Sequence, residues 1–581
     1  MKKQFSLALV ALVSLTLSLQ PFVFAQQKPQ PQPQPQLPTG SSAAGRGVAG
    51  SSPTGRRAMR NGANAIPLIE KDFDEAVRMI QENYIEGDKL DYNAVFKSSI
   101  IGMLRSLDPH SNYYDREEYE ELKTDQRSEY FGIGASIQNY ILGEQADTFI
   151  TATFQNSPAA HAGLRFGDRI LAVDGMKATG KTSLEVRDKI RGPRGSVVKI
   201  TVEHAADKRV QIVEITRDAV PQPSIPDAYI LKPGVGYVDM TRGFNYSTTE
   251  ELLEALQTLR SKGATSLVLD LRNNPGGFLE QAIQVAQVFL PYGELILTQK
   301  GRNGLRDNTY RSRNRSADTI PLVILVNENT ASASEIVAGA MQDHDRALIV
   351  GQTSFGKGLV QSIIPLDQGA GLTLTSAKYY TPSGRLIQRD YADGSFYDYY
   401  TRGGSRRLDE KPDNTKPVGP EKKTDLGRAV YGGGGIAPDE SVKARTITSA
   451  QRRLLSPLFG FTRELVNDRV PGLTSYAVRG GIGFSHELEP GDFPVSDAVV
   501  KAFREFVAGD PVFRGLAPLI DHNRSFVEVQ LRFNIITAAY GRVMADRVLI
   551  TTDDQQVAKA IDVLPRARDL AMSSTGHQVQ P

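Results

Sequence analysis

Short apolar runs set between helical stretches constrain this chain more than any other feature. Residues 266–271, 321–327 and 347–350 show almost no polar alternation, and helical spacing fills 279–289 and 332–342 between them. A strand that is apolar on both sides must be covered on both faces. Strands that alternate with helices build a mostly parallel sheet in an α/β core. Residues 220–440 are therefore expected to form that core, with a polar, Gly-rich stretch at 387–430 as a mobile insertion.

The periodicity differs on either side. From 65 to 128 it is helical: Phe73, Val77, Ile80 and Tyr84 share one stripe, and Tyr92, Val95, Phe96, Ile100, Met103, Leu104 and Leu107 form a second. From 129 to 219 short strands are expected near 133–137, 148–153, 170–173, 197–202 and 210–215, with Asp174-Gly175 as a turn. Two short helices, at 157–162 and 183–190, interrupt them, which predicts a small barrel. Residues 441–581 return to helical patterning, as at 499–507 and 527–543.

Ahead of these regions, Lys2 and Lys3 precede an apolar run from Phe5 to Leu19, Pro21 breaks it, and Ala25 offers a cleavage point. This reads as a secretory signal peptide over 1–25. Left uncut it would be a membrane tether, although the run is short against the ~20 residues of a spanning helix. Residues 26–64 are rich in Gln and Pro, then in Gly and Ser, and cannot bury a core, so a disordered linker is expected. Export to a periplasm or the extracellular space follows.

A formal net charge of +2 over 581 residues gives no reason to expect nucleic acid as a partner. The lack of Cys excludes thiol nucleophiles and disulfides. Residues 351–357 match the GxxxxGK half of a phosphate-binding loop, but Gly358 stands where Ser or Thr must hold magnesium. Residues 359–364 then alternate like a strand, so no nucleotide is expected. His486-Glu487 lacks the second His of a zinc-protease helix, and no metal or other cofactor is expected.

The informative chemistry lies at 322–361. Leu322-Val323-Ile324-Leu325-Val326 ends at Asn327-Glu328-Asn329-Thr330, and Ala331-Ser332-Ala333-Ser334-Glu335-Ile336 opens a helix. At such a junction backbone N–H groups point outward and favour negative charge, which is what an oxyanion needs. Helix capping is the commoner role for such a Ser, and Glu335 stands at the capping-box position. The local pattern does not choose between Ser332 and Ser334. A nucleophilic Ser needs a base. His344 would lie about 18 Å along the same helix, too far to serve. Lys357, bracketed by Gly356 and Gly358 among apolar residues, is the better candidate. Burial would lower its pKa and leave a neutral amine.

Several motifs stand in order: Leu107-Asp108-Pro109-His110-Ser111; Tyr130-Phe131-Gly132-Ile133-Gly134; Gly167-Asp168-Arg169-Ile170-Leu171; Asp270-Leu271-Arg272-Asn273-Asn274-Pro275-Gly276-Gly277; Thr330-Ala331-Ser332-Ala333-Ser334-Glu335; and Gly356-Lys357-Gly358-Leu359-Val360-Gln361. Together they resemble the carboxyl-terminal processing peptidases, or tail-specific proteases, over about residues 66–440. The resemblance implies an α/β fold, a ClpP/crotonase-like peptidase core with an inserted PDZ domain at 129–219 and helical N- and C-terminal regions. It implies Ser332 as nucleophile, Lys357 as general base and Gln361 as the residue that orients the Lys amine. That last role requires the chain to bend near Gly358. The amides of Ala333 and of Gly276 or Gly277 would form the oxyanion hole. Phe131, Gly132, Ile133 and Gly134 would form the peptide-binding loop, with Ile133 and Ile137 lining its pocket, and Arg191 would be a regulatory link. The implied function is an exported endopeptidase acting near unstructured C-termini of proteins, with a homo-oligomer or an adaptor formed through the helical terminal regions. The competing readings are an inactive PDZ adaptor and a crotonase-type acyl-CoA enzyme. The PDZ insertion and the Ser/Lys spacing argue against the second.

Overall fold

The computed structural model describes residues 66–126, 129–391, 399–400 and 419–577. The expected signal segment and linker lie outside the described residues, as does much of 387–430. Helices α1 (Ile66–Asn83) and α2 (Tyr92–Arg105) lead to a turn at 107–111. The chain then forms β1 (Asn112–Tyr114), a strand that the helical spacing does not predict, and α3 (Arg116–Gln126). The turn is set by Asp108, whose carboxylate accepts the N–H groups of His110 and Ser111 at 2.8 and 2.9 Å.

The PDZ module contains β2 (Glu129–Gly132), β3 (Ala135–Ile141), β4 (Ala146–Thr153), α4 (Pro158–His161), β5 (Arg169–Val173), β6 (Met176–Lys177), α5 (Ser183–Ile190), β7 (Val197–Glu203), β8 (Val210–Thr216) and β9 (Asp218–Pro221). Both helices begin at side-chain caps: Ser157 accepts from the Ala160 N–H, and Thr182 and Glu185 form a reciprocal box. The sheet runs β3-β4-β5-β7-β8, so β3 is an edge strand.

The core contains β10 (Asp227–Lys232), β11 (Val235–Asp239), α6 (Thr248–Ser261), β12 (Ser266–Asp270), α7 (Leu279–Phe289), β13 (Leu295–Gly301), β14 (Asn308–Arg311), β15 (Leu322–Val326), α8 (Ala333–Asp343), β16 (Ala347–Gly351), β17 (Leu359–Pro365), β18 (Gly371–Tyr380), a hairpin of β19 (Glu421–Lys423) and β20 (Ala429–Tyr431), and β21 (Glu440–Ser441). One sheet runs β10-β11-β12-β15-β16-β21, parallel from β11 onward. Its two faces are read off successive residues: Leu322, Ile324 and Val326 point to α6, α7 and α8, and Val323 and Leu325 to the other side. A second, antiparallel sheet runs β1-β18-β13-β14, with β17 also paired to β18.

The C-terminal region supplies α9 (Ser449–Leu465), α10 (Asp497–Gly509), α11 (Ala517–His522), α12 (Arg524–Tyr540), α13 (Arg542–Asp553) and α14 (Gln555–His577). Helix α14 covers the other face of the parallel sheet through Val557, Ala560, Val563, Leu564 and Ala567. Helix α9 meets the PDZ module instead: Phe459 stacks on Tyr140 at 3.9 Å, and Arg463 donates to the Gly167 carbonyl at 2.8 Å. The described start of 387–430, together with Arg385 just ahead of it, is not a polar surface: Ile387, Gln388 and Arg389 are buried. Arg385 is 1% exposed and donates to Asp343 and Gln342, and Arg389 lies 3.8 Å over the Phe355 ring. Paired guanidinium groups can be buried where lone ones cannot, so polarity misled the reading of this segment.

Helix α14 thus completes the core rather than decorating it. Leu564→Ala is expected to lower the unfolding free energy by about 2–3 kcal/mol, measured by urea denaturation. An unchanged midpoint would contradict the packing of α14 on the sheet.

Candidate active site

Ser332 stands between β15 and α8 with φ 57° and ψ −117°. A non-Gly residue held there stores about 1–3 kcal/mol of strain, which surrounding contacts must sustain. Those contacts are visible. The Ala331 N–H donates to the Asn274 carbonyl at 2.9 Å, and the Ser334 hydroxyl, fully buried, donates to the same oxygen at 3.2 Å. Ser334 is spent on packing, and Ser332 is the half-buried, accessible one.

Glu335 sits at the capping-box position, but it does more than cap. Its carboxylate is wholly buried. One oxygen accepts the Ser332 and Lys357 N–H groups, both at 2.8 Å; the other accepts the Gly356 N–H at 2.7 Å and the Ser354 hydroxyl at 2.5 Å. Burial pushes the Glu335 carboxyl above its ordinary value, against the pull of these four donors. The Tyr379 hydroxyl lies 3.1 Å from the Ser332 carbonyl and 2.5 Å from that of Lys357. One carboxylate oxygen therefore holds both amides, and one phenol faces both carbonyls.

Lys357 lies in the loop between β16 and β17. Desolvation pushes its amine down to about 8, and the charges of Glu335 and Asp108 oppose this. Among the described residues no hydrogen bond joins its Nζ to the Ser332 hydroxyl or to Gln361. The Ser332 and Lys357 backbones converge on one Glu335 oxygen. The register of β17 on β18 shifts between Val360 and Gln361, where Ser376 of β18 is the extra residue, and Gln361 pairs with Thr375. Its amide Nε2 donates to Thr375 Oγ1 at 3.2 Å.

Of the two glycines, Gly276 donates its N–H to Asn274 Oδ1 at 2.9 Å, whereas Gly277 and Ala333 show no N–H acceptor among the described residues. A Cβ at Gly276 would fall 2.7 Å from Ser332 Cβ and 2.9 Å from the Ala333 nitrogen, so only Gly allows this approach. His344 caps the far end of α8, as its distance along the helix requires. Its Nε2 faces the Leu295 carbonyl at 2.6 Å and its Nδ1 faces Asp425 and Glu294 at 2.7 and 3.2 Å.

In the PDZ module Phe131 and Gly132 end β2, and Gly134 has φ 73°. Ile133 is 3% exposed in the module's core, leaving Ile137, half-buried on edge strand β3, beside α5. Arg191 reaches Glu121 of α3 at 3.5 Å. Sequence reasoning missed Tyr379, Thr375 and the span of Glu335. Only Asp108 and His110 carried a signal, as parts of a motif without an assigned role. His110 is held well below its ordinary value by burial and by the charges of Lys357 and Arg389.

A strained Ser at a helix start, a Lys whose backbone shares a carboxylate oxygen with it and a PDZ module ahead of the core are the arrangement of a serine peptidase. The comparisons agree. The model of peptidase family S41 matches residues 234–394, and that of the PDZ domain matches 149–204. The carboxy-terminal-processing protease of Bartonella bacilliformis is 38% identical over 307 residues, covering 51% of this chain and 68% of the relative. The carboxy-terminal processing protease CtpA of Bacillus subtilis is 32% identical, covering 58% and 70%. Among solved structures, the photosystem II D1 C-terminal processing protease is 26% identical, with a TM-score of 0.34 over 64% of this chain and 92% of that one. The chain belongs to the carboxy-terminal-processing protease family, and it is a serine endopeptidase; the adaptor reading is not favoured.

Glu335→Gln tests the clasp. An amide cannot accept from four donors, so at least one donor loses its partner, a loss of about 1–3 kcal/mol. The variant is expected to melt earlier and to cleave an unfolded protein at least tenfold more slowly. Wild-type cleavage would show that the clasp does not place the site.

Proposed function

We propose that Ser332 attacks the scissile carbonyl while the neutral Lys357 amine takes its hydroxyl proton. The resulting ammonium then protonates the leaving amine, and water, activated by the same amine, releases the acyl group from Ser332. The N–H groups of Ala333 and Gly277 receive the oxyanion, Gly276 being spent on Asn274. The observation that carries this reading is the single Glu335 oxygen shared by the Ser332 and Lys357 amides. The PDZ module adds the substrate's C-terminal strand to the β3 edge, with the N–H groups around Phe131, Gly132, Ile133 and Gly134 capturing its carboxylate and Ile137 contacting its last side chain. Arg191 couples the module to the N-terminal region through Glu121 of α3, and β1 carries that region onto β18 of the core. The chain acts outside the cytoplasm, delivered by its N-terminal segment; no helix among the described residues is long and apolar enough to cross a membrane.

Ser332→Ala is expected to abolish cleavage of an unfolded protein, and Lys357→Arg to do nearly the same, since Arg stays protonated. With the amine near 8, the rate should climb as pH rises through about 8, because the deprotonated form is the active one. Full activity of Lys357→Arg would remove Lys357 from the mechanism.

The N-terminal helices support self-association. Leu68, Ile69, Phe73, Ile80, Phe96 and Met103 are exposed on α1 and α2, and an apolar surface of this kind marks an interaction site. The double variant Phe73→Asp, Phe96→Asp is expected to be smaller in light scattering than the wild-type protein. An unchanged mass would contradict this interface.

A further inference from the structure

Hydrogen bonds from Asp108 to Gln361 can run in only one direction. Asp108 is 6% exposed, and as a carboxylate it can only accept. It takes the N–H groups of His110 and Ser111, the Ser111 hydroxyl at 2.6 Å and the Thr375 hydroxyl at 2.9 Å. The Ser111 oxygen in turn accepts the Thr375 N–H at 3.0 Å, which locks the 107–111 turn onto β18. Thr375 has one hydroxyl hydrogen, and Asp108 receives it. What Thr375 can offer Gln361, its cross-strand partner, is a lone pair. Gln361 must therefore present Nε2–H to Thr375, at 3.2 Å, and hold Oε1 at the other corner of the amide.

The direction matters for a basic amine. Lys357 must aim its lone pair at the Ser332 hydroxyl, so its N–H bonds need acceptors elsewhere. An amide oxygen is such an acceptor. An amide NH2 in its place would donate to the lone pair and compete with the serine proton.

We propose that Asp108, acting through Thr375, fixes the flip of the Gln361 amide so that its oxygen rather than its nitrogen is offered to Lys357. Asp108 and Thr375 are positioning residues; they touch neither substrate nor the reacting atoms. The inference rests on Lys357 being the base, as proposed above, and on Gln361 orienting its amine, the role that the family resemblance implies. It gives the Leu107-Asp108-Pro109-His110-Ser111 segment a task, although that segment lies more than 200 residues before Lys357 in the chain.

The test is a set of variants of the full chain, assayed on an unfolded protein across pH. Thr375→Val removes the hydroxyl and keeps the shape. It is expected to lower kcat about tenfold with KM unchanged, the loss of one hydrogen bond near a charge. The freed amide then populates both flips. The flipped one favours the neutral amine, so the pH midpoint of kcat is expected to fall, and Thr375→Ser should restore both values. A merely structural hydroxyl would not move the midpoint. Thr375→Ala, which also removes the hydroxyl and leaves the Asp108 charge in place, should act in the same direction and stands in should Thr375→Val fail to fold. In Gln361→Ala, where no amide remains to be oriented, adding Thr375→Val or Thr375→Ala should cost nothing further. Wild-type kcat and midpoint in a folded Thr375→Val, or losses that multiply with Gln361→Ala, would overturn the relay. Neither result would touch the assignment of Lys357, which its own Arg variant decides.

Discussion

Everything in this molecule that bears on chemistry depends on one buried carboxylate. Glu335 has no solvent, yet it accepts four hydrogen bonds, two of them from the backbones of the residues that must meet. A buried anion is tolerable only when its lone pairs are filled. The fold meets that condition by bending the 354–357 loop back onto the start of α8. The same constraint holds Ser332 at a positive φ that it would not otherwise adopt. Strain at Ser332 and satisfaction of the carboxylate are thus two sides of one arrangement.

Around this clasp the fold supplies layers. The parallel sheet fixes the ends of β12 and β15, from which the 271–277 and 327–332 turns rise together. Arg272 ties the first turn to the start of α14, through Asp270 and Asp554 at 2.6 and 2.7 Å. The C-terminal region therefore reaches the site's foundations, and through α9 it also holds the PDZ module. The N-terminal region reaches the other side of the site, through β1 and Asp108 on β18.

Much of this was legible in the chain. Apolar runs located β12, β15 and β16, and Glu335 at the capping-box position marked the start of α8. The Gly-flanked lysine stood out against its neighbours. What was not legible has a common cause: contacts between residues far apart in sequence leave no local signature. Glu335 reads as a capping residue because its bond to the Ser332 amide is local, while its bonds to Ser354, Gly356 and Lys357 are not. Tyr379 and Thr375 look like ordinary strand residues. Gly276 and Gly277 could not be told apart until Asn274 was seen to occupy one amide. The stretch around Arg385 and Arg389 reads as solvent-facing because burial of a guanidinium depends on partners that periodicity does not reveal.

The proposed chemistry stands on an amine at position 357 that gives up its proton well below the ordinary value for lysine. Its most direct test is an NMR titration of Lys357, with the side chain isotopically labelled and assigned by comparison with Lys357→Arg. Burial beside the Ser332 loop predicts a midpoint near about 8. A midpoint near 10.5, the ordinary value for lysine, would contradict it.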